Sequence, residues 1–527
     1  MLEPQDSEYV WVVVVGFILA FVLAFGIGAN DVANSFGTSV GSKVLTLKQA
    51  CIIASIFEVA GAVLIGARVS DTVRKGIIDI NSFNGTEELA MVGSLSALTG
   101  TSVWLLIATF FNLPVSGTHS VVGATMGFAL VAHGLSGVKW PTFGKIAGSW
   151  VISPLMSGII SSAIFVFVNM LILIKGTPFE EGLKYLPLFY AFTMTVNLFS
   201  VFYNGSHMLG FHKIPLYGVF ILTFGGGILT AVLVKFLLVP YARQRIDQDQ
   251  ANVEGIIGAR DPFGPPMEPK DSANVFVLPN INAYDNPEVE LDEKPEIENE
   301  EKQSNNFDPK DKLMINGDAI CKDDVINSID VKTENNDEKE LEIQGPTAME
   351  IARNKIQDEP KTAKLFSLLQ IMTACFGAFA HGGNDVSNCI GPLISLWTIF
   401  YTGYIQQKVA IPVWILFYGG VGISIGLWVW GRRVIKTVGE DLSPITPSSG
   451  FCIEIGSAIT VLIASNLGIP ISTTHCKVGS VVMVGRVRSK MVVDWSIFKN
   501  VVFAWIVTMP VAGGLSAAVY AGLREVI

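Results

Sequence analysis

The sequence predicts an all-α polytopic membrane protein that forms an inverted-repeat helical bundle. Half of its 527 residues are hydrophobic, and the mean hydropathy is +0.48. Apolar runs of about 20 residues, long enough to cross a bilayer as a helix, recur along the chain. Two polar motifs occur twice, once in each half of the chain. The first two observations predict membrane-spanning helices, and the third predicts an internal duplication.

Hydropathy predicts about twelve apolar segments, each long enough for a helix of the bundle. They cover residues 9–30, 47–66, 90–111, 113–133, 146–174, 186–204, 214–239, 366–389, 409–430, 450–468, 470–485 and 498–522. The first segment is long and is preceded by acidic residues, whereas a signal peptide would begin with basic residues. We therefore expect the first segment to remain as a membrane anchor.

The net charge of −10 comes from one segment of the chain. Residues 241–365 contain 29 acidic and 15 basic residues, whereas the rest of the chain contains 17 acidic and 21 basic residues. This segment is polar and poor in aromatic residues, which predicts disorder. We predict an N-terminal membrane half at 1–240, an acidic cytoplasmic linker at 241–365 and a C-terminal membrane half at 366–527. The linker fits a solvated tether, with regulation or partner docking as the alternative.

Basic residues predict the orientation of the chain in the membrane. If the linker is cytoplasmic, about fourteen Lys and Arg residues near span ends lie inside and about eight lie outside. A basic cluster at 68–75 opposes this orientation. Both termini then lie outside, as does the sequon Asn84-Gly85-Thr86, so Asn84 is a candidate glycosylation site. The cysteines have no paired spacing, which predicts neither a disulfide framework nor a metal site.

The two repeated motifs define the duplication. FGIGANDVANSFGT at 25–38 matches FAHGGNDVSNCIGP at 379–392 with an offset of 354 residues. LPVSGTHSVVG at 113–123 matches IPISTTHCKVG at 469–479 with an offset of 356 residues. The Asn-Asp motifs lie in the first and the eighth predicted segments, so the second copy crosses the membrane in the opposite direction. Transporters built from inverted repeats bind substrate near the midplane, between the repeats.

Four acidic residues lie within predicted apolar segments: Asp31, Glu58, Asp385 and Glu454. A buried lone carboxylate costs several kcal/mol, so each must be protonated, paired or bound to a cation. Asp31 and Asp385 lie among glycines and asparagines, whose oxygens suit sodium if the glycines let the helix open. The alternative for either aspartate is a hydrogen bond to a neighbouring helix. Glu58 and Glu454 do not align with each other, and each could hold a cation or pair with a base such as Lys477.

The second pair of motifs predicts helix N-termini within the membrane. In LPVSGTH and IPISTTH a proline precedes residues that favour N-caps, namely Ser116, Thr118, Ser472, Thr473 and Thr474. A helix N-terminus presents free N–H groups and partial positive charge, which suit an oxyanion. Each motif joins two apolar segments, so we predict two re-entrant hairpins. Alternatively, these hydroxyls cap short helices or bond across an interface.

Two further features bear on the energy source. His119 and His475 follow the hydroxyl clusters in the two copies. Each histidine could form a structural hydrogen bond or take part in proton transfer. The sequence contains neither a P-loop nor a dinucleotide-binding fingerprint. We therefore expect ion gradients rather than ATP to drive any transport.

The motifs GANDVANSFGTSVGS, GGNDVSNCIGPL, LPVSGTH and IPISTTHCKVG together resemble the inorganic phosphate transporter family, in particular its animal sodium-dependent phosphate symporters. The resemblance covers roughly residues 1–240 and 365–527. It implies a helical bundle, usually homodimeric, that carries phosphate with sodium across the plasma membrane. It implies neither an enzyme nor a nucleic-acid partner, and Na⁺ acts as coupling ion without a further cofactor. Family members also serve as retroviral receptors through outer loops.

The resemblance also implies which residues bind the two ions. Phosphate ligands would be Ser116, Thr118, Ser472, Thr473, Thr474, Asn34 and Asn388. Sodium ligands would be Asn30, Asp31, Asn384 and Asp385, with Glu58 and Glu454 as further candidates. Gly117 takes the place of Thr473, so the first tip offers one hydroxyl fewer.

These assignments predict an alternating-access mechanism. Sodium would neutralise the aspartates and allow phosphate to approach, and rocking of one bundle would then expose the site to the other side. One alternative is a proton-coupled phosphate or sulfate transporter. Another is an intramembrane aspartyl protease, whose two aspartates share a proton, although the pairing of YD with GxGD motifs that such proteases have is absent from the sequence.

Overall fold

The computed structural model is built from helices that enclose two polar hairpin tips. It describes residues 2–203, 210–258, 314–315, 318–319, 355–406, 411–431, 434, 442–489 and 493–527. The helices are α1 (Val10–Gly41), α2 (Leu47–Ile65), α3 (Ala67–Lys75), α4 (Glu87–Phe110), α5 (Gly117–His133), α6 (Trp140–Val168), α7 (Pro178–Phe202), α8 (Leu216–Leu233), α9 (Val239–Gly258), α10 (Pro360–Thr402), α11 (Val413–Trp430), α12 (Pro447–Asn466), α13 (Thr473–Arg488) and α14 (Trp495–Leu523). Two short strands, β1 (Met314–Ile315) and β2 (Asp318–Ala319), pair antiparallel.

Among the described residues, eleven helices are long and apolar enough to cross a membrane. The predicted all-α membrane fold is therefore confirmed. The segment predicted at 470–485 forms α13, which has 16 residues and is shorter than a span. It packs against α12, just as α5 packs against α4. Both predicted hairpins are present as pairs of packed helices, although α4, α5 and α12 are each long enough to cross a membrane. Their re-entrant path stays a prediction.

The helices that carry the Asn-Asp motifs are longer than the predicted segments at 9–30 and 366–389. α1 has 32 residues and α10 has 43. Both run through the motifs without a break, so our expectation that glycines open the helix is wrong. The polar residues beyond the motif in α1 stay helical because buried partners satisfy them. Thr38 and Ser39, for example, both donate to the carboxylate of Glu454.

Contacts at their two ends show that α1 and α10 run in opposite directions. Before α1, Leu2 N donates to Gly403 O at 3.0 Å, just after α10. Just beyond α1, Ser42 Oγ donates to Gln370 Oε1, in the first part of α10, at 2.8 Å. α1 therefore begins where α10 ends. This antiparallel pair confirms the inverted repeat.

Each hairpin packs against a helix from the other repeat. The α12–α13 hairpin lies on α6, where Ser157 Oγ donates to Cys476 O at 2.9 Å. The α4–α5 hairpin lies on α14, where Trp104 Nε1 donates to Thr508 Oγ1 at 3.1 Å. α2 likewise packs on α10, and α11 on α1. The repeats therefore interlock, and the helices of one repeat complete the core of the other.

Two equivalent glycines make the closest of these contacts possible. A Cβ atom on Gly28 would lie 1.9 Å from Ile423 O in α11. A Cβ atom on Gly382, its counterpart at an offset of 354, would lie 2.1 Å from Glu58 O in α2. Small residues let membrane helices approach this closely. The motif glycines therefore serve helix packing.

The helices on either side of the predicted linker lie next to each other. Lys361 Nζ at the start of α10 lies 2.8 Å from Asp247 Oδ1 of α9, and Lys364 Nζ lies 3.1 Å from Asp249 Oδ2. The structure divides into one unit of Met1–Ala259 with Ile356–Ile527 and a second unit of Arg260–Lys355. Most of the linker lies outside the described residues, and its boundaries at 241 and 365 stay predictions.

Replacing either packing glycine with alanine should destabilise the protein. Gly28→Ala and Gly382→Ala each force a helix pair apart, and such overpacking costs about 1–3 kcal/mol. Gly148→Ala in α6 is the control, because nothing lies within 4 Å of its added Cβ. We expect both packing variants to melt at a lower temperature than the control in detergent. Equal melting temperatures for all three would contradict the close contact.

Candidate functional site

The two hairpin tips meet each other beside the Asn-Asp motifs of α1 and α10. Thr118 Oγ1 of the first tip donates to Ile471 O of the second at 2.9 Å. Thr474 Oγ1 of the second tip donates to Val115 O of the first at 3.2 Å. These two hydrogen bonds are related by the repeat. The tips therefore form one polar centre between the repeats.

α5 and α13 begin at this centre with matching serine caps. Ser116 Oγ accepts a hydrogen bond from His119 N, and Ser472 Oγ accepts one from His475 N, both at 3.2 Å. Each serine has the extended backbone of an N-cap. The positive ends of two helix dipoles are therefore directed towards the same region.

Two buried aspartates face the tips. Asp385 Oδ1 accepts from Asn388 Nδ2 and Asp385 Oδ2 accepts from Thr473 Oγ1, both at 2.8 Å. Asp31 Oδ1 accepts from Asn34 Nδ2 at 2.9 Å and from Thr474 Oγ1 at 3.0 Å. Both aspartates are only 1% exposed. The hydroxyls of the second tip thus bind one carboxylate from each repeat.

The first tip is less polar than the second, and this leaves one carboxylate oxygen unmatched. Asp31 Oδ2 accepts no hydrogen bond from any residue that the structure describes, and neither does Asn388 Oδ1. A Cβ atom on Gly117 would lie 3.7 Å from Asp31 Oδ2, so a longer residue could reach it. Thr473 occupies the equivalent place on the second tip. The centre therefore holds two buried acceptors that suit a cation.

His381 lies close to both aspartates, although it was not among the predicted site residues. Its Nε2 lies 3.3 Å from Asp385 Oδ2 and 3.9 Å from Asp31 Oδ2. Asp31, His381 and Asp385 offer ligand atoms that all lie within 4.8 Å of one another. One feature of the sequence could have indicated His381 as a site residue. It lies one helical turn before Asp385, at the position where the first repeat has Ile27.

Comparison with known proteins identifies the family. The profile of the phosphate transporter family matches residues 27–516. The chain belongs to the phosphate transporter family. Sodium-dependent phosphate transporter 1-A of Xenopus laevis is 40% identical over 660 residues, which is 99% of this chain and 96% of that protein. Sodium-dependent phosphate transporter 1 of Homo sapiens is 40% identical, with 99% and 97% of the two chains covered.

A solved structure gives the same result. The structure titled "The sodium-dependent phosphate transporter" is 31% identical, and the match covers 98% of this chain and 100% of that one. Its TM-score of 0.72 shows the same fold. The resemblance inferred from the motifs is thus confirmed. The proteins of this family are transporters, so the aspartyl protease interpretation is wrong.

Glu58 of the transporter lies behind His381. Its Oε2 is 2.7 Å from His381 Nδ1, and its Oε1 accepts from Ser35 Oγ at 3.0 Å. A carboxylate on one imidazole nitrogen fixes the ring and directs the other nitrogen. Glu58 thus orients His381 towards Asp385, and its predicted role as a sodium ligand stays a prediction.

Asn30 and Asn384 direct their side chains to the hairpin tips. Asn30 Nδ2 donates to Leu113 O at 2.9 Å, and Asn30 Oδ1 accepts from Val115 N at 3.1 Å. Asn384 Nδ2 donates to Ile471 O at 3.0 Å. Each motif asparagine therefore braces the tip of its own repeat beside the neighbouring aspartate. In this conformation the side-chain amides of Asn30 and Asn384 bond to the hairpin tips rather than to the carboxylates of Asp31 and Asp385.

Glu454 lies in a separate cluster within the transporter. Its carboxylate accepts hydrogen bonds at 2.6 Å from each of Thr38, Ser39 and Thr373. Gln370 Nε2 adds a fourth at 3.3 Å. Glu454 is fully buried. Glu454 therefore takes no part in the Asp31–Asp385 centre. This is consistent with the sequence, in which Glu454 does not align with Glu58.

The two motif histidines pack in an aromatic row behind the tips. The ring centroids of His119 and His475 are 4.3 Å apart, and the outer faces contact Trp150 at 4.0 Å and Trp505 at 3.6 Å. His475 Nδ1 also lies 3.2 Å from Trp150 O. These contacts favour the structural role over proton transfer.

Asn84, the candidate glycosylation site, is exposed.

Removing either bracing amide should loosen one hairpin tip and leave the other in place. Asn30→Leu deletes side-chain bonds to residues 113 and 115, each worth about 0.5–1.5 kcal/mol. We expect faster backbone hydrogen exchange at 111–116 in Asn30→Leu and at 467–472 in Asn384→Leu. Mass spectrometry measures both tips in each variant, so each tip is the control for the other. Unchanged exchange at both tips would contradict the bracing role.

Proposed function

We propose that this chain imports inorganic phosphate together with sodium ions across the plasma membrane. Family membership and full-length similarity to sodium-dependent phosphate transporters support this function. The decisive observation is one centre that combines two buried carboxylates with two capped helix N-termini. Carboxylates suit the cation, and helix N-termini suit the anion.

Sodium binds at the two aspartates in this proposal. Asp31 Oδ2 and Asn388 Oδ1 are buried acceptors without a described partner, so a cation gains two oxygens there. Asp385 would supply a third oxygen, because its ligand atom lies within 4.8 Å of that of Asp31. Oxygen ligands are those that hard cations prefer. His381 contributes by holding the carboxylates in position, and Asn30 and Asn384 contribute by fixing the tips.

Phosphate binds to the hairpin tips once sodium is present. Thr473 now donates to Asp385, and Thr474 donates to Asp31. Sodium at each carboxylate would replace these hydrogen bonds and free the hydroxyls. The freed hydroxyls then donate to phosphate, together with the amides at the starts of α5 and α13. Thr118 joins them when its hydrogen bond to Ile471 O breaks. Sodium therefore prepares the phosphate site, which couples the two ions.

The transport cycle completes the proposal. The two repeats alternate the centre between the two sides of the membrane, with both termini and Asn84 outside and the linker in the cytoplasm. Asn84 carries a glycan, and two copies of the chain form a homodimer. The membrane potential then contributes about 2.3 kcal/mol per 100 mV for each net charge moved. Each tenfold sodium gradient adds about 1.4 kcal/mol per ion.

Uptake of radiolabelled phosphate into proteoliposomes tests the coupling ion and the cargo. An inward sodium gradient should drive accumulation, because the carboxylates need a cation before the anion enters. Choline in place of sodium should abolish uptake, and an imposed proton gradient should not restore it. Excess sulfate should not compete. Proton-driven uptake, or strong competition by sulfate, would favour the alternative transporter.

Neutralising either aspartate tests the cation site. Asp31→Asn and Asp385→Asn keep the size and remove the charge, so we expect normal insertion and loss of most sodium-driven uptake. Asp79→Asn is the control, because this acid is 43% exposed and pairs with Lys139 at 3.9 Å. Thr474→Ala should instead weaken phosphate affinity, since one hydrogen bond is worth about 0.5–1.5 kcal/mol. Unchanged sodium dependence in both aspartate variants would reject this site.

A further inference from the structure

The surroundings of Glu454 suit an ionised carboxylate. Three hydroxyls and one amide donate to its two oxygens, and an ionised carboxylate accepts hydrogen bonds without donating any. Hydrogen bonds to an ionised group are the strong ones, and three of these measure 2.6 Å. A charge buried this deeply requires a nearby positive charge.

Lys477 is a buried lysine whose ammonium nitrogen is unpaired among the described residues. It is 2% exposed, and its Nζ makes no hydrogen bond with any residue in the described part of the chain. The helices that carry Glu454 and Lys477, α12 and α13, pack against each other. A buried ammonium group needs hydrogen-bond acceptors as much as a buried carboxylate needs donors. Each residue is therefore suited to the other, although the carboxylate is now held by other groups.

The donors to Glu454 come from different helices than Lys477. Thr38 and Ser39 lie on α1, and Gln370 and Thr373 lie on α10. Glu454 and Lys477 lie on α12 and α13, which form one hairpin. If this hairpin moves relative to α1 and α10, Glu454 loses its donors but Lys477 moves with it.

We propose that Lys477 is a tethered counter-ion that takes over the carboxylate of Glu454 when the hairpin leaves α1 and α10. In this role Lys477 is a positioning residue for the transport cycle. The proposal rests on the alternating access proposed above. It also removes Glu454 from the candidate sodium ligands, because the chain itself supplies the positive charge that this carboxylate needs. No sodium ion is then taken up at Glu454 in each cycle.

A charge-rescue experiment tests the pair. Lys477→Met and Glu454→Gln each leave one buried charge without its partner, so we expect the maximal uptake rate to fall about tenfold or more. The phosphate KM should change little, because neither side chain bonds to the hydroxyls of Thr473 and Thr474 in the described structure. The double variant Lys477→Met/Glu454→Gln contains no unpaired charge and should recover most of the rate. Its Hill coefficient for sodium should equal that of the parent.

Two further variants separate charge from structure. Lys477→Arg keeps the charge and should transport faster than Lys477→Met. Lys364→Met removes a lysine whose partner Asp249 is more than a third exposed, and it should transport like the parent. Surface amounts of all variants are matched before rates are compared.

The outcomes distinguish this proposal from the proposed function. A parent protein without sodium-driven phosphate uptake would reject the function itself. A parent that transports, with Lys477→Met equally active, would reject the counter-ion alone. The counter-ion would also be rejected if the double variant were no better than the poorer single variant, or if it had a lower Hill coefficient for sodium.

Discussion

Buried negative charge must be balanced by groups close to it, because water and salt do not reach it. Asp31, Asp385, Glu58 and Glu454 are each at most 1% exposed, and the structure matches them with hydroxyls, amides and one histidine. Such groups stabilise a carboxylate without cancelling its charge fully. The aspartates share a single histidine, so an additional cation is favoured there. In the proposed function, the attraction for sodium follows from this incomplete balance of charge.

The inverted repeat is what brings these groups together. Thr474 of the second repeat binds Asp31 of the first, and Asn388 of the second binds Thr118 of the first. Antiparallel α1 and α10 place both motifs at one level, and the packing glycines let the neighbouring helices come close enough. Neither repeat would satisfy its own polar groups alone. The site and the core are therefore products of the same interlocking.

Much of this arrangement could be predicted, because the chain repeats its polar residues. The Asn-Asp motifs, the serine caps and the reversed direction all follow from comparing two segments with each other. His381 breaks the repeat, and its contact with Glu58 joins residues 323 positions apart, so no local pattern indicates it. The role of the motif glycines was also misjudged, because a glycine that opens a helix and one that packs a helix look alike in sequence.

The asparagines of the motifs show a similar limit. Their amides were predicted as ligands, but amides also satisfy the free backbone groups of a tip that contains proline. The role of such an amide depends on its distance from the hairpin tip. That distance is set by the packing of the helices and cannot be read from the sequence. The predicted role of Asn30 and Asn384 as sodium ligands therefore stays a prediction.

The divergence of the repeats has an energetic corollary. If the two repeats were identical, exchanging their conformations would convert an outward-facing carrier into an inward-facing one of equal free energy. The empty carrier would then spend half its time facing each side. Several positions around the centre differ between the repeats, among them Gly117 and Thr473, and Ile27 and His381. Since about 1.4 kcal/mol changes a population ratio tenfold, a few such substitutions would be enough to set the resting direction of the carrier in the proposed alternating-access cycle.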